Sequence, residues 1–129
     1  MILTIRTDKP EAELGLYSDH KKLEYIKWQA DRQLSADIHK KLDDLFKKQN
    51  MSYIDLKGIV VYKGPGSFTG LRIGISVANT IASEMDIPIV GSGSENWISE
   101  GIRLLAQNTK TRLVMPEYGS EPKTTKPKK

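Results

Sequence analysis

Eleven consecutive residues, Gly64-Pro65-Gly66-Ser67-Phe68-Thr69-Gly70-Leu71-Arg72-Ile73-Gly74, gather the types best suited to chemistry in this chain of 129. They follow the apolar run Ile59-Val60-Val61-Tyr62 and lead into an apolar stretch with helical spacing. A strand-to-helix junction of this kind presents a row of backbone N–H groups at the positive end of a helix dipole, where an anion or a close backbone can be received. The glycines also remove side chains that would hold a guest away. One reading is a phosphate cradle formed by Gly64, Gly66, Ser67 and Phe68, with Arg72 as counter-charge. Spacing excludes the familiar loops. Gly64, Gly66 and Gly70 place one residue too many for the dinucleotide pattern G-x-G-x-x-G, and no glycine is followed by the lysine of a Walker loop. The guest is then either an unfamiliar phosphate site or a protein.

Other chemistry is sparse. The absence of cysteine removes thiol nucleophiles, thiolate metal sites and disulfides together. The two histidines, His20 and His39, stand far apart, and no Ser/His/Asp or metal-ligand spacing is visible. His39 borders an apolar stripe, so packing or an interface explains it better than ligation. No metal, no cofactor and no catalytic residue is expected.

The elements that must position the junction follow from periodicity. Met1 to Ile5 reads as a strand. Glu11 to Tyr17 alternates with Ala12, Leu14 and Leu16 on one face, as a half-exposed antiparallel strand does. Asp8-Lys9-Pro10 supplies the turn between them. A third strand is expected over Lys22 to Trp28. Ser35 is the expected N-cap of a helix reaching Asn50. Its stripe is Leu34, Ile38, Leu42, Leu45 and Phe46, and acid-first pairs Asp37/Lys41, Asp43/Lys47 and Asp44/Lys48 are spaced for i,i+4 contact. After the junction come a helix over Phe68 to Met85, a strand over Ile87 to Val90 and a helix over Glu95 to Gln107. Three strands followed by strand–helix alternation predict one five-stranded mixed sheet with about three covering helices, an α/β ribonuclease H-like half-domain.

The helix behind the junction carries more apolar surface than one sheet needs. At about 100° per residue, its apolar positions occupy an arc of roughly 200°, against about 100° for a helix lying on a single layer. Gly70, Gly74 and Ala78 form a small-residue ridge at four-residue spacing. Either another helix of this chain or a second protein must cover the surplus.

The eleven-residue junction resembles the signature of the TsaB family of bacterial tRNA threonylcarbamoyladenosine synthesis. The resemblance runs from Met1 to about Met115 and includes Ile87-Pro88-Ile89-Val90-Gly91. It implies the actin-like ATPase fold and the role of a non-catalytic partner that activates TsaD, the threonylcarbamoyl transferase. It also implies an interface in which the two N-terminal helices pack on their counterparts in TsaD, or in a second copy as a homodimer. Mapped onto this chain, that interface comprises Ile38, Leu42, Leu45, Phe46, Gly70, Leu71, Gly74 and Ala78. On that mapping, Gly74→Leu would break partner binding and spare the fold. Two departures stand out. The first strand ends in Arg6-Thr7 where the family has Asp-Thr, which argues against ATP hydrolysis, and the His-x-x-x-His metal pair of TsaD has no counterpart. Family members are nearly twice as long, so the chain corresponds to their N-terminal half. A composite nucleotide site with the TsaE component is doubtful for that reason.

Composition supports a globular domain over residues 1–115 and a polar tail over 116–129. Hydrophobic residues make up 38% and charged residues 28%, and no apolar run has membrane-spanning length. A cytoplasmic location without membrane contact is expected. The formal charge of +4 is lopsided: Lys123, Lys126, Lys128 and Lys129 oppose only Glu117 and Glu121 at the C-terminal end. A tail of this kind cannot bury enough apolar area to fold alone, and it could touch tRNA.

Overall fold

The computed structural model describes residues 1–30, 33–107 and 114–115, and the Phe68 side chain lies outside the description. The tail expected over 116–129 lies outside these residues. Five strands, β1 (Ile2–Arg6), β2 (Glu11–Ser18), β3 (Lys21–Gln29), β4 (Gly58–Tyr62) and β5 (Ile89–Ser92), form one sheet. Its order is β3-β2-β1-β4-β5. The β1–β2 and β2–β3 pairs are antiparallel, while β1–β4 and β4–β5 are parallel. The helices are α1 (Leu34–Lys48), α2 (Phe68–Met85) and α3 (Trp97–Gln107).

The register sorts side chains onto two faces. Leu3 lies opposite Leu16 and Ile5 opposite Leu14, and all four are fully buried. This face carries α1 and α2. The other face carries α3 over β4 and β5, where Gly101 admits the Val60 side chain. β4 is buried at every position because both of its faces are covered. β2 departs from the expected half-exposed strand. Glu13 and Gly15 are buried as well as Ala12, Leu14 and Leu16, because Tyr25 of β3 folds over them. The Tyr25 hydroxyl donates to Glu13 Oε1 at 2.5 Å, and Lys9 Nζ lies 3.4 Å from the other carboxylate oxygen. Burial and the neighbouring carboxylate push the Tyr25 hydroxyl well above its ordinary pKa, so it remains a donor.

The α1 stripe lies inward as its spacing predicts, with Leu34, Ile38, Leu42, Leu45 and Phe46 all buried. Its cap does not. Gln33 is the N-cap, no side chain bonds the first turn, and Ser35 sits exposed within the helix. Leu34 must be helical to join the core, which moves the start past the better capping residue. A short 3₁₀ turn, Tyr53–Asp55, was not expected. Ser52 and Asp55 close it with a reciprocal capping box, and Tyr53 packs edge-on against Phe46 at 4.6 Å.

One clamp ties the chain's departure to the sheet. Asn79 of α2 donates through Nδ2 to the Val114 carbonyl at 3.0 Å and accepts the Val114 N–H on Oδ1 at 2.9 Å. The amide thus serves both backbone groups of a buried residue that packs on Gly91. Asn79→Ala leaves both groups unpaired. The expected loss is about 1–2 kcal/mol, read as a fall in thermal midpoint of roughly 5–10 °C.

Candidate partner-docking site

The junction is built from backbone before side chains. Gly64 has φ 116°, a conformation that favours glycine, and its carbonyl is so close to Gly93 that a Cβ there would stand 1.9 Å away. The Tyr62 hydroxyl donates to the Pro65 carbonyl at 2.8 Å and holds the loop to the end of β4. Ser67 is the N-cap of α2 but makes no side-chain cap bond.

The glycine ridge receives the end of β1. The Thr7 hydroxyl donates to the Gly70 carbonyl at 2.6 Å. A Cβ on Gly70 would lie 2.0 Å from the Thr7 carbonyl oxygen, and one on Gly74 would lie 2.2 Å from Thr7 Oγ1. The ridge is a slot for a strand end of this same chain. Leu71 and Ala78 are fully buried, as are Ile38, Leu42 and Leu45, with Phe46 nearly so. The side chains mapped as an interface are therefore spent inside the domain, and Gly74→Leu would strike the fold itself. Most of the broad apolar arc of α2 is covered by β1, β4, β5, α1 and the 3₁₀ turn together, leaving Ile73, Val77 and Met85 partly exposed.

The cradle already contains an anion. Arg6 holds Asp8 through Nε at 2.7 Å and Nη2 at 3.3 Å, and its guanidinium lies 3.9 Å from the Tyr62 ring centroid. Burial is the largest single influence on Arg6 and opposes its charge, but the bond to Asp8 and the neighbouring negative charges of Asp8, Tyr62 and Glu13 together outweigh it and raise the guanidinium above its usual pKa. A Cβ on Gly66 would lie 2.9 Å from Asp8 Oδ2. Phosphate arriving at the Gly66-Ser67 amides would meet that carboxylate, and like charges at such range repel. Asp8 is the residue that reading the sequence missed. Its signal was present, since Arg6 and Asp8 are spaced i,i+2 on one side of an extended chain. Titration with ATP and magnesium is expected to give no saturable heat.

The structure gathers Gly64, Gly66 and Ser67 in one loop but separates Arg72 from them. Arg72 lines an open groove of about 410 Å³ between α1 and α2, with Ser35, His39, Thr69, Ile73 and Val77 on its walls. His39 is exposed there, and His20 lies elsewhere, beside the Ser18-Asp19 turn. No group of three or more His, Cys, Asp or Glu suited to a metal occurs among the described residues. Nor is any described helix long and apolar enough to cross a membrane.

Comparison with known proteins decides the family. Residues 28–116 match the TsaD family, tRNA N6-adenosine threonylcarbamoyltransferase. The chain belongs to that family. Its sequence is 50% identical over 52 residues to the tRNA threonylcarbamoyladenosine biosynthesis protein TsaB of Bacillus subtilis, covering 40% of this chain and 21% of that one. It is 31% identical over 91 residues to the tRNA N6-adenosine threonylcarbamoyltransferase of the same organism, covering 61% and 26%. The TsaB resemblance read from the junction is thus borne out. The matched segments amount to about a quarter of each relative's length. Among solved structures, YeaZ from Pseudomonas aeruginosa superposes with TM-score 0.66 at 22% identity, over 71% of this chain and 43% of that one. T. thermophilus RuvC follows at TM-score 0.51 and 12% identity, over 91% and 83%. Both establish the ribonuclease H-like, actin-like fold.

Proposed function

We propose that this chain is a non-catalytic docking subunit in tRNA threonylcarbamoyladenosine biosynthesis, binding and activating a TsaD-type catalytic subunit through the α1–α2 groove. The observation that carries the reading is the groove itself. Ile73 and Val77 stay half-exposed while Leu71, Ile75, Ala78, Ile81 and Ala82 of the same helix are buried, and they line an open trough beside α1. A helix from a partner laid in that trough buries them, as in helix-in-groove recognition. The interface thus moves from the Gly70–Gly74–Ala78 ridge to its flank. The same face could pair two copies, and a TsaE-type component would then join a preformed pair. The setting that this reading implies is the cytoplasm.

The competing reading, a nucleotide half-site of an ATPase-like enzyme, is weakened by Asp8 in the cradle and by Arg6 in place of a metal-organising carboxylate. The direct test mixes the purified chain with the catalytic subunit of its own organism. A one-to-one complex that raises threonylcarbamoyl transfer to tRNA is the expected result. Separate elution with no gain in transfer would remove the reading.

A further inference from the structure

A second trough, of about 490 Å³, lies on the far side of α1, between that helix and the free edge strand β3. Its floor is apolar, from Ile26, Trp28 and Leu45, and its walls carry four lysines against one acid, Asp44. Charge is unevenly placed in the domain. Residues 21–48 carry seven described lysines against Glu24, Asp37, Asp43 and Asp44, whereas acids outnumber bases in the described remainder. The helix pairs that would neutralise these lysines do not form. Lys41 leaves Asp37 and lies 5.7 Å from the centroid of the Trp28 ring. Lys48 leaves Asp44 and reaches Glu24 of β3 at 3.4 Å. Lys27 and Lys47 make no ion pair among the described residues.

Helix and strand run antiparallel here, with Lys41 beside Trp28 and Lys48 beside Glu24. Seven residues of helix make this basic wall about 10 Å long. The indole N–H of Trp28 is buried with no acceptor. An aromatic floor and ammonium groups that outnumber the carboxylates beside them suit a ribose-phosphate backbone. They suit an added β-strand less, because the edge lysines Lys21, Lys22 and Lys27 oppose strand addition.

We propose that the β3–α1 trough is an RNA-backbone contact, with Lys41, Lys47 and Lys48 on phosphates. It rests on the docking reading only in naming the RNA as tRNA. The contact positions the nucleic acid and reads no sequence.

The test measures binding of the full chain to unmodified tRNA by fluorescence anisotropy across a salt series. The double variant Lys41→Gln/Lys47→Gln is compared with Lys57→Gln/Lys63→Gln, which removes equal charge elsewhere. The first is expected to weaken binding at least about fivefold near 0.1 M salt and to flatten the log–log salt slope by about 1.5. The second should leave both unchanged. Equal losses in the two variants, no loss in either, or a wild-type chain that does not bind tRNA would each overturn the proposal. So would a double variant that loses poly-glutamate but keeps tRNA, since the trough would then serve an acidic protein. Co-elution of the double variant with the catalytic subunit is read in parallel and should persist. A wild-type chain that binds tRNA through the trough but forms no complex would refute the docking reading alone.

Discussion

Gly70→Ala is expected to destabilise the domain by about 2 kcal/mol, although alanine is the better helix former. In an exposed helix the exchange would gain about 1 kcal/mol. Here the new methyl meets the Thr7 carbonyl oxygen at 2.0 Å, and a backbone atom at the end of a sheet strand cannot swing aside. Overpacking of this kind typically costs 1–3 kcal/mol, and shifting β1 also breaks the bond from the Thr7 hydroxyl to Gly70. For a domain of this size the thermal midpoint should fall by roughly 10 °C. Gly74→Ala provides the control. Its clash is with the Thr7 side chain, so Thr7→Ala should rescue it, whereas Gly70→Ala should gain little from the same change. A thermal midpoint that rises with Gly70→Ala would show that the slot is not filled as described.

Ile73→Asp should have the larger effect on association. Ile73 is half-exposed at the groove and packs on the core only at its margin, so the carboxylate reaches water in the free chain. In a complex the same carboxylate is desolvated against apolar surface without a partner. Hot-spot truncations cost 2 kcal/mol or more, and an unpaired buried charge adds to that. The expected loss of affinity for the catalytic subunit is about a hundredfold. Because the site is at the rim, far-ultraviolet circular dichroism and the thermal midpoint should change little.

Much of the fold was legible because few residues had a choice. The α1 stripe and the all-apolar β4 each match one periodicity and lie where that periodicity puts them, while β2 keeps its apolar face inward but has its other face covered by Tyr25. Boundaries shifted where tertiary contacts outranked local preference. Leu34 entered the core and carried the helix start past Ser35, and β5 slid to Ile89–Ser92 so that Ile89 could pair with Ile59. The site was harder to read. The glycine spacing of α2 announced a close approach but could not say to what, since a strand end leaves the same signature as a partner helix. The apolar arc seemed excessive because a flat sheet was assumed, whereas α1 and the 3₁₀ turn also close around α2. Asp8 was passed over as a turn residue, since only the fold brings it to Gly66.

In the proposed function the α1–α2 groove is the docking surface. The most direct measurement is the dissociation constant between this chain and its TsaD-type catalytic subunit, taken for the wild type and for Ile73→Asp with unchanged dichroism. A tight wild-type complex weakened about a hundredfold by the substitution is the predicted result. Equal affinity for both chains would contradict it.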